Sequence, residues 1–203
     1  MPALTPSNDA LRAVNVTASE VGALLDPHPY TSPQRIYDRI TGHPDYVPPD
    51  HTEAMALGVW MESPIARYTA HKLGMRLRAN SRTRVHPYAL LAATPDYIVL
   101  NTRFLVECKL SSIMYGWSED KLAPHIEWQA RAQLACTNRD VCFIAALVGS
   151  QFYSIPVVRE ADTEGRMLRA VHEFERKYLI PGIRPPDPII PQLRKVRVES
   201  SKG

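Results

Sequence analysis

Eight consecutive apolar residues, Val141 to Val148, limit most sharply what this chain can fold into. A strand with one wet face alternates apolar and polar residues. An unbroken apolar run of this length, ended by Gly149-Ser150, is the pattern of a strand covered on both faces. Such a strand needs a sheet around it and packed layers against it, and the flanking sequence supplies both. Residues 152–158 alternate and can pair back across Gly149-Ser150. Residues 90–94, 97–100 and 104–110 read as further strands, with Asn101-Thr102 as the turn of a hairpin, and residues 75–85 read as extended edges. Helical spacing marks residues 33–40, 52–73, 126–137 and 161–178. The expectation is an α/β fold with a central mixed β-sheet flanked by helices.

Local signals place the helix ends. Residues 1–15 read as a loose leader and a short apolar entry, and residues 17–20 open a short helix over 20–25. Ser32-Pro33 starts the next helix, since proline suits a first turn. In the long helix, Met55, Val59, Ala66 and Leu73 recur at near-helical spacing, which would also put Trp60 on an apolar face. Pro64 either kinks that helix or restarts it at Ser63, and Gly74 is a natural stop. Met167, Leu168, Val171 and Phe174 share one face of the last helix. Beyond it come Pro181, Pro185, Pro186, Pro188 and Pro191. We expect one domain over residues 1–180 and an extended, basic, proline-rich tail over 181–203.

Composition excludes some classes. No apolar run approaches the roughly 18 residues of a membrane helix, and residues 1–15 lack the apolar centre of a secretory signal. Cys108, Cys136 and Cys142 contain no CxxC pair, so neither a disulfide framework nor a structural zinc site is expected, and a reducing cytoplasmic setting fits. The net charge of +3 is compatible with nucleic acid without arguing for it. Arg76, Arg78, Arg82 and Arg84 cluster, as do Arg194, Lys195 and Arg197; a basic patch and a solvated face are both open readings.

The string that carries chemistry is Thr94-Pro95-Asp96, then ten residues, then Glu107-Cys108-Lys109. Residues i and i+2 of a strand share a face, so Leu105, Glu107 and Lys109 point one way and Phe104, Val106 and Cys108 the other, which we take as the core side. Charge on a strand bounded by apolar residues is costly unless paired or metal-bound. Asp96 and Glu107, across the hairpin, can chelate a divalent cation, and hard oxygen ligands suit magnesium or manganese. The cation would activate water and offset phosphate charge, while Lys109 would orient or deprotonate that water. A solvent-facing, salt-bridged hairpin is the plain alternative. Glu62 in the long helix is either a further ligand or a surface glutamate. Gln129 and Gln133 share a helix face and can hold a water, or are an exposed pair. Trp60, Tyr115 and Trp117 can contact separated strands, with a core position as the plain alternative for Trp60.

Taken together these residues resemble the lambda exonuclease and YqaJ-like viral recombinase family of the PD-(D/E)xK nuclease superfamily. The resemblance spans about residues 15–150 and lies in residues 16–21, Tyr30-Thr31-Ser32-Pro33, Gly58-Val59-Trp60-Met61-Glu62, the two strings above, and residues 129–137. It implies a PD-(D/E)xK, restriction-endonuclease-like core and 5′-to-3′ exonuclease action on double-stranded DNA ends in phage-type recombination, with two magnesium ions. Asp96, Glu107 and the main-chain carbonyl of Cys108 would be ligands, Glu62 would serve the second ion, and Lys109 and Gln129 would handle the attacking water. Arg12, Ser19 and Thr94 would bind the 5′-phosphate. A homo-oligomer such as a ring trimer and a single-strand annealing protein are the implied partners. The chain departs from the family at Tyr97, where glycine is common, at the missing proline after the lysine motif, and at Arg131, where a second glutamine is usual. An endonuclease or defence nuclease on the same core, and a non-catalytic DNA-binding subunit, are the alternative functions.

Overall fold

The computed structural model describes residues 7–111 and 122–186. Along the chain run α1 (Asn8–Val14), β1 (Val16–Thr17), a 3-10 turn (Val21–Leu24), α2 (Pro33–Thr41) and α3 (Glu53–Leu73). Then come β2 (Leu77–Ala79), β3 (Arg84–Val85), β4 (Leu91–Ala93), β5 (Tyr97–Val99) and β6 (Phe104–Ser111). The rest is α4 (Pro124–Thr137), β7 (Val141–Val148), β8 (Gln151–Val158), α5 (Ala161–Phe174) and a π-helical turn (Glu175–Leu179).

Five strands form the main sheet in the order β2-β5-β6-β7-β8. The pair β6-β7 is parallel and every other pair is antiparallel, so the sheet is mixed as expected. Parallel neighbours need a crossover, and α4 supplies it. The apolar run of β7 is covered on both faces. Cys142 and Ile144 pack with Leu105, Ile126, Ala130 and Leu134 on the α4 side. Phe143, Ala145 and Leu147 pack with Val106, Ile65 and Ala66 on the α3 side. A separate three-stranded sheet, β1-β4-β3, lies outside the main one. There Val16 and Leu91 join Ala132, Met167, Val171 and Phe174 in a second core.

Helix ends follow their side chains. Ser7, Ser32 and Thr52 accept N–H groups from the first turns of α1, α2 and α3. Gly42 and Gly74, both at φ +63°, end α2 and α3 in the left-handed conformation that glycine adopts without a Cβ clash. At the far end, Arg184 donates to both carboxylate oxygens of buried Asp38 at 2.8 and 2.7 Å and to Asp45 at 3.0 Å.

Several expectations need correction. Residues 8–14 are not a loose leader: Ser7 caps a helix there, and Arg39 donates to the carbonyls of Arg12 and Ala13 in its last turn and of Asn15 just beyond it. The helix expected over 20–25 is one 3-10 turn. Pro64 neither ends nor restarts α3, which is continuous across it. The carbonyl deprived of its partner belongs to Trp60, a residue 82% exposed, where water can serve it. That exposure also overturns the core reading of Trp60. Met55 and Val59 are exposed too; Ala66 is buried as expected, together with Ile65 and Thr69. The opening turns of α3, up to Trp60, are largely exposed.

Leu105 is fully buried between the β5 edge and α4, so truncation there leaves a cavity that the crossover cannot close. Leu105→Ala should lower unfolding free energy by about 2–5 kcal/mol in urea titration. A loss under about 1 kcal/mol would contradict this packing.

Candidate active site

The β5-β6 hairpin pairs Tyr97 with Val106 and Ile98 with Leu105. Continued one residue further, that register sets Asp96 opposite Glu107. The Asp96 carboxylate accepts the Cys108 N–H at 2.8 Å, which ties the Pro-Asp segment to the charged strand. Asn80 holds it from the other side: its side chain donates to the Pro95 carbonyl and its N–H to the Asp96 carbonyl, both at 2.8 Å. Asn80 was invisible as a support in the sequence, because only the β2-β5 pairing brings it there.

Glu107 is 4% exposed. Its Oε1 accepts from Lys109 Nζ at 2.9 Å and from Gln129 Nε2, and its Oε2 accepts from Gln133 Nε2 at 2.6 Å. Lys109 Nζ also donates to Gln129 Oε1 at 2.8 Å. Gln133 is 1% exposed, and its Oε1 accepts from the Cys142 thiol. These contacts follow from alternation on β6 meeting the i, i+4 face of α4. They rule out the solvent-facing hairpin and the exposed glutamine pair. They also correct the notion that only the Cys108 side faces core: α4 covers the Glu107 side, and Cys108 packs toward α3.

Glu62 of α3 completes a group of three carboxylates around one ammonium. Burial and the Glu107 charge raise the Glu62 pKa, against the pull of Lys109. Burial and the Glu107 charge likewise push Asp96 up to about 8, with Glu62 adding and the Cys108 N–H opposing. Burial alone would lower Lys109, yet the adjoining Glu107 carboxylate holds it above its ordinary value. The site therefore holds more carboxyl groups than its one lysine can keep ionised.

A divalent cation fits this chemistry. Among the described residues no three His, Cys, Asp or Glu side chains converge into a ready cage, and both Glu107 oxygens are engaged. Magnesium, however, is typically held by one or two carboxylates with waters and substrate oxygens. A carboxyl that its neighbours keep protonated would ionise beside such a cation.

Arg12 and Ser19 meet elsewhere, in the wall of a cavity of about 1130 Å³ that also takes in His28, Tyr30, Arg35 and Arg39. Arg39 is committed to Glu20, at 2.6 Å, and to main-chain carbonyls. Arg35 donates to the Val47 carbonyl. Among the described residues, the Arg12 guanidinium has no hydrogen-bond or ion-pair partner. Thr94 is not in that wall: its hydroxyl pairs with Thr83 at 2.8 Å, just before Pro95-Asp96. The structure thus joins Asp96, Glu107, Cys108, Lys109 and Gln129 with Glu62 close by, and joins Arg12 with Ser19, but leaves Thr94 apart from them. The shared face of Gln129 and Gln133 is legible in their spacing; the direct bond of Gln133 to Glu107 is not. Tyr115, Trp117, Arg194, Lys195 and Arg197 lie outside the described residues.

Comparison with known proteins places this geometry. The model of the YqaJ-like viral recombinase domain matches residues 9–140. No curated protein matches. Among solved structures, an alkaline exonuclease (LHK-Exo) from Laribacter hongkongensis is similar over 83% of this chain and 89% of that one, with TM-score 0.65 and 22% identity. LHK-Exo in complex with dAMP is similar over 82% and 88%, with TM-score 0.65 and 20% identity. A phage related exonuclease from Haemophilus somnus 129PT is similar over 84% and 97%, with TM-score 0.64 and 11% identity. At these identities the likeness is one of fold. Among the described residues no helix is long and apolar enough to cross a membrane.

The raised Asp96 pKa fixes a pH dependence. The folded form holds a proton that the unfolded chain releases near pH 4, so metal-free stability falls as pH rises from about 4 to about 8 and then levels. Cation binding must expel that proton below pH 8, so magnesium affinity should rise up to about tenfold per pH unit toward about 8 and then flatten. Calorimetric titration at pH 6, 7 and 9 checks it; a pH-independent affinity contradicts it. Gln133→Leu leaves a buried Glu107 oxygen unpaired and should destabilise the protein by about 1–3 kcal/mol in the same denaturant assay.

Proposed function

The chain belongs to the YqaJ-like viral recombinase domain family, and from that membership we propose that it is a magnesium-dependent 5′-to-3′ exonuclease acting on double-stranded DNA ends in phage-type recombination. The observation that carries the reading is the buried Glu107 carboxylate, clamped by Lys109, Gln129 and Gln133 and set beside Asp96. A structural salt bridge would need neither the two glutamines nor the extra carboxylates.

In this reading Asp96, Glu107 and the main-chain carbonyl of Cys108 hold one ion, and Glu62 serves a second. Magnesium, or manganese, would supply an acidified water and offset charge on the phosphate. Lys109 stays protonated, since Glu107 holds its pKa above the ordinary value, so it acts as a charged donor and not as a base. Its Nζ orients the attacking water and meets the charge that grows on the phosphoryl oxygens as a P–O ester bond breaks. Gln129 fixes that ammonium through its Oε1 and the carboxylate through its Nε2. Arg12 and Ser19 take the 5′-phosphate in the neighbouring cavity, with Thr94 supporting the Pro-Asp turn. The dAMP complex of LHK-Exo is in keeping with a mononucleotide product here. A cytoplasmic setting, a ring-forming homo-oligomer, a single-strand annealing partner and a domain ending near residue 180 belong to the same proposal.

The test is digestion of linear duplex DNA labelled at one 5′ or one 3′ end, with and without magnesium. Early release of mononucleotide from the 5′ label is expected, abolished by chelator, by end-blocking and by Glu107→Ala. Lys109→Ala should lower kcat by about 10²–10³-fold. Cleavage that persists on end-blocked DNA would make the protein an endonuclease. Magnesium-dependent release unaffected by Glu107→Ala would remove the site assignment.

A further inference from the structure

The face of α4 that carries Gln133 and Gln129 continues one turn back to His125. Gln129, one turn further along that face, accepts from Lys109 Nζ at 2.8 Å, so His125 lies on the α4 face that borders the carboxylate site. On its other side it meets two rings from the cavity wall. His28 lies 5.3 Å from His125, Tyr30 lies 5.7 Å from it, and His28 and Tyr30 are 6.1 Å apart, all edge-to-face. The three rings therefore stand between the cavity that holds Arg12 and the centre that holds Lys109.

Their placement is built in. Both nitrogens of His28 are used by the main chain: Nδ1 accepts the Tyr30 N–H at 3.2 Å, which leaves Nε2 to donate to the Ser19 carbonyl at 3.1 Å. A Cβ on buried Gly22 would sit 3.3 Å from the His125 Cα and 3.4 Å from the His28 ring, so glycine is what lets α4 and the 3-10 turn approach this closely. Burial lowers the pKa of both histidines, His125 to about 4, which leaves neutral rings at pH 7. Tyr30, by contrast, is 77% exposed, an unusual state for an aromatic ring with two ordered neighbours.

We propose that His28, Tyr30 and His125 form a stacking subsite for the base of the terminal nucleotide of the strand being cut. The proposal rests on the exonuclease reading. With one phosphate near Arg12 and the scissile phosphate near Lys109, the nucleoside between them meets these rings. Stacking on neutral aromatic faces accepts all four bases, as digestion of arbitrary sequence requires. Each ring is a positioning group for substrate, and none takes part in bond breaking.

The experiment compares duplexes whose 5′-terminal nucleotide carries a base with duplexes whose terminal nucleotide is abasic. Wild type should show a KM about tenfold higher for the abasic end, with kcat little changed. Tyr30→Ala should raise KM for the normal end by a similar factor and cease to distinguish the two, while Tyr30→Phe should behave as wild type. A second arm does not depend on turnover: full-length Glu107→Ala is titrated with duplex carrying 2-aminopurine at the terminal position. Quenching on binding, lost when Tyr30→Ala is added, supports the subsite even if the chain cleaves nothing. Binding without quenching, or equal KM for normal and abasic ends in wild type, overturns it. A failure of the exonuclease reading shows separately, as absent cleavage with quenching retained.

Discussion

A carboxylate buried in a protein interior is tolerated only where its charge and lone pairs are met, and Glu107 sets that demand for the whole molecule. Its position on β6, with sheet on both sides and helices above and below, leaves it 4% exposed. Lys109 supplies the charge from two residues along the same strand, and Gln129 and Gln133 supply donors from α4. The crossover helix between β6 and β7 is thus both a topological necessity and the lid of the polar site. Removing Lys109 strands the carboxylate charge and removing Gln133 strands its Oε2 in an apolar layer, so stability and site geometry are coupled through one side chain.

The same packing links the carboxylate centre to the N-terminal segment. The 3-10 turn that begins at Val21 packs closely on α4, with Gly22 against His125 and Trp128. Glu20, just before it, is held by Arg39, which also gathers the carbonyls at the C-terminal end of α1. Arg12 is therefore placed by a chain of contacts that runs from α2 through Glu20 to α4. A segment without tertiary anchors could not hold a cationic side chain at a fixed distance from β6.

Much of this was legible in the sequence, for identifiable reasons. Strict alternation on β6 exposed the shared face of Glu107 and Lys109, and the apolar run of β7 announced a strand covered twice. Ser32-Pro33, Thr52 and Gly74 marked their helix ends because capping is local chemistry. What depended on long-range contacts was hidden. The α1 helix is too short for periodicity to reveal, and β1 exists only because β4 pairs with it. Trp60 and Val59 have the spacing of a core face on a helical wheel, but the helix becomes buried only beyond them, from Met61 onward. The spacing of Gln129 and Gln133 shows their common face, but the burial of Gln133 and its reach to Glu107 depend on the angle of α4 on the sheet. Thr94 shows the converse: a motif position whose hydroxyl is engaged with Thr83 rather than turned to the cavity.

The central claim, that Asp96 and Glu107 form the cation site of this fold, is tested most directly by anomalous X-ray diffraction from crystals soaked in manganese. The account predicts a strong peak within coordination distance of the Asp96 and Glu107 carboxylates, and no peak there in Glu107→Ala crystals. Manganese bound only elsewhere, with the Glu107 clamp unchanged at saturating metal, would contradict it.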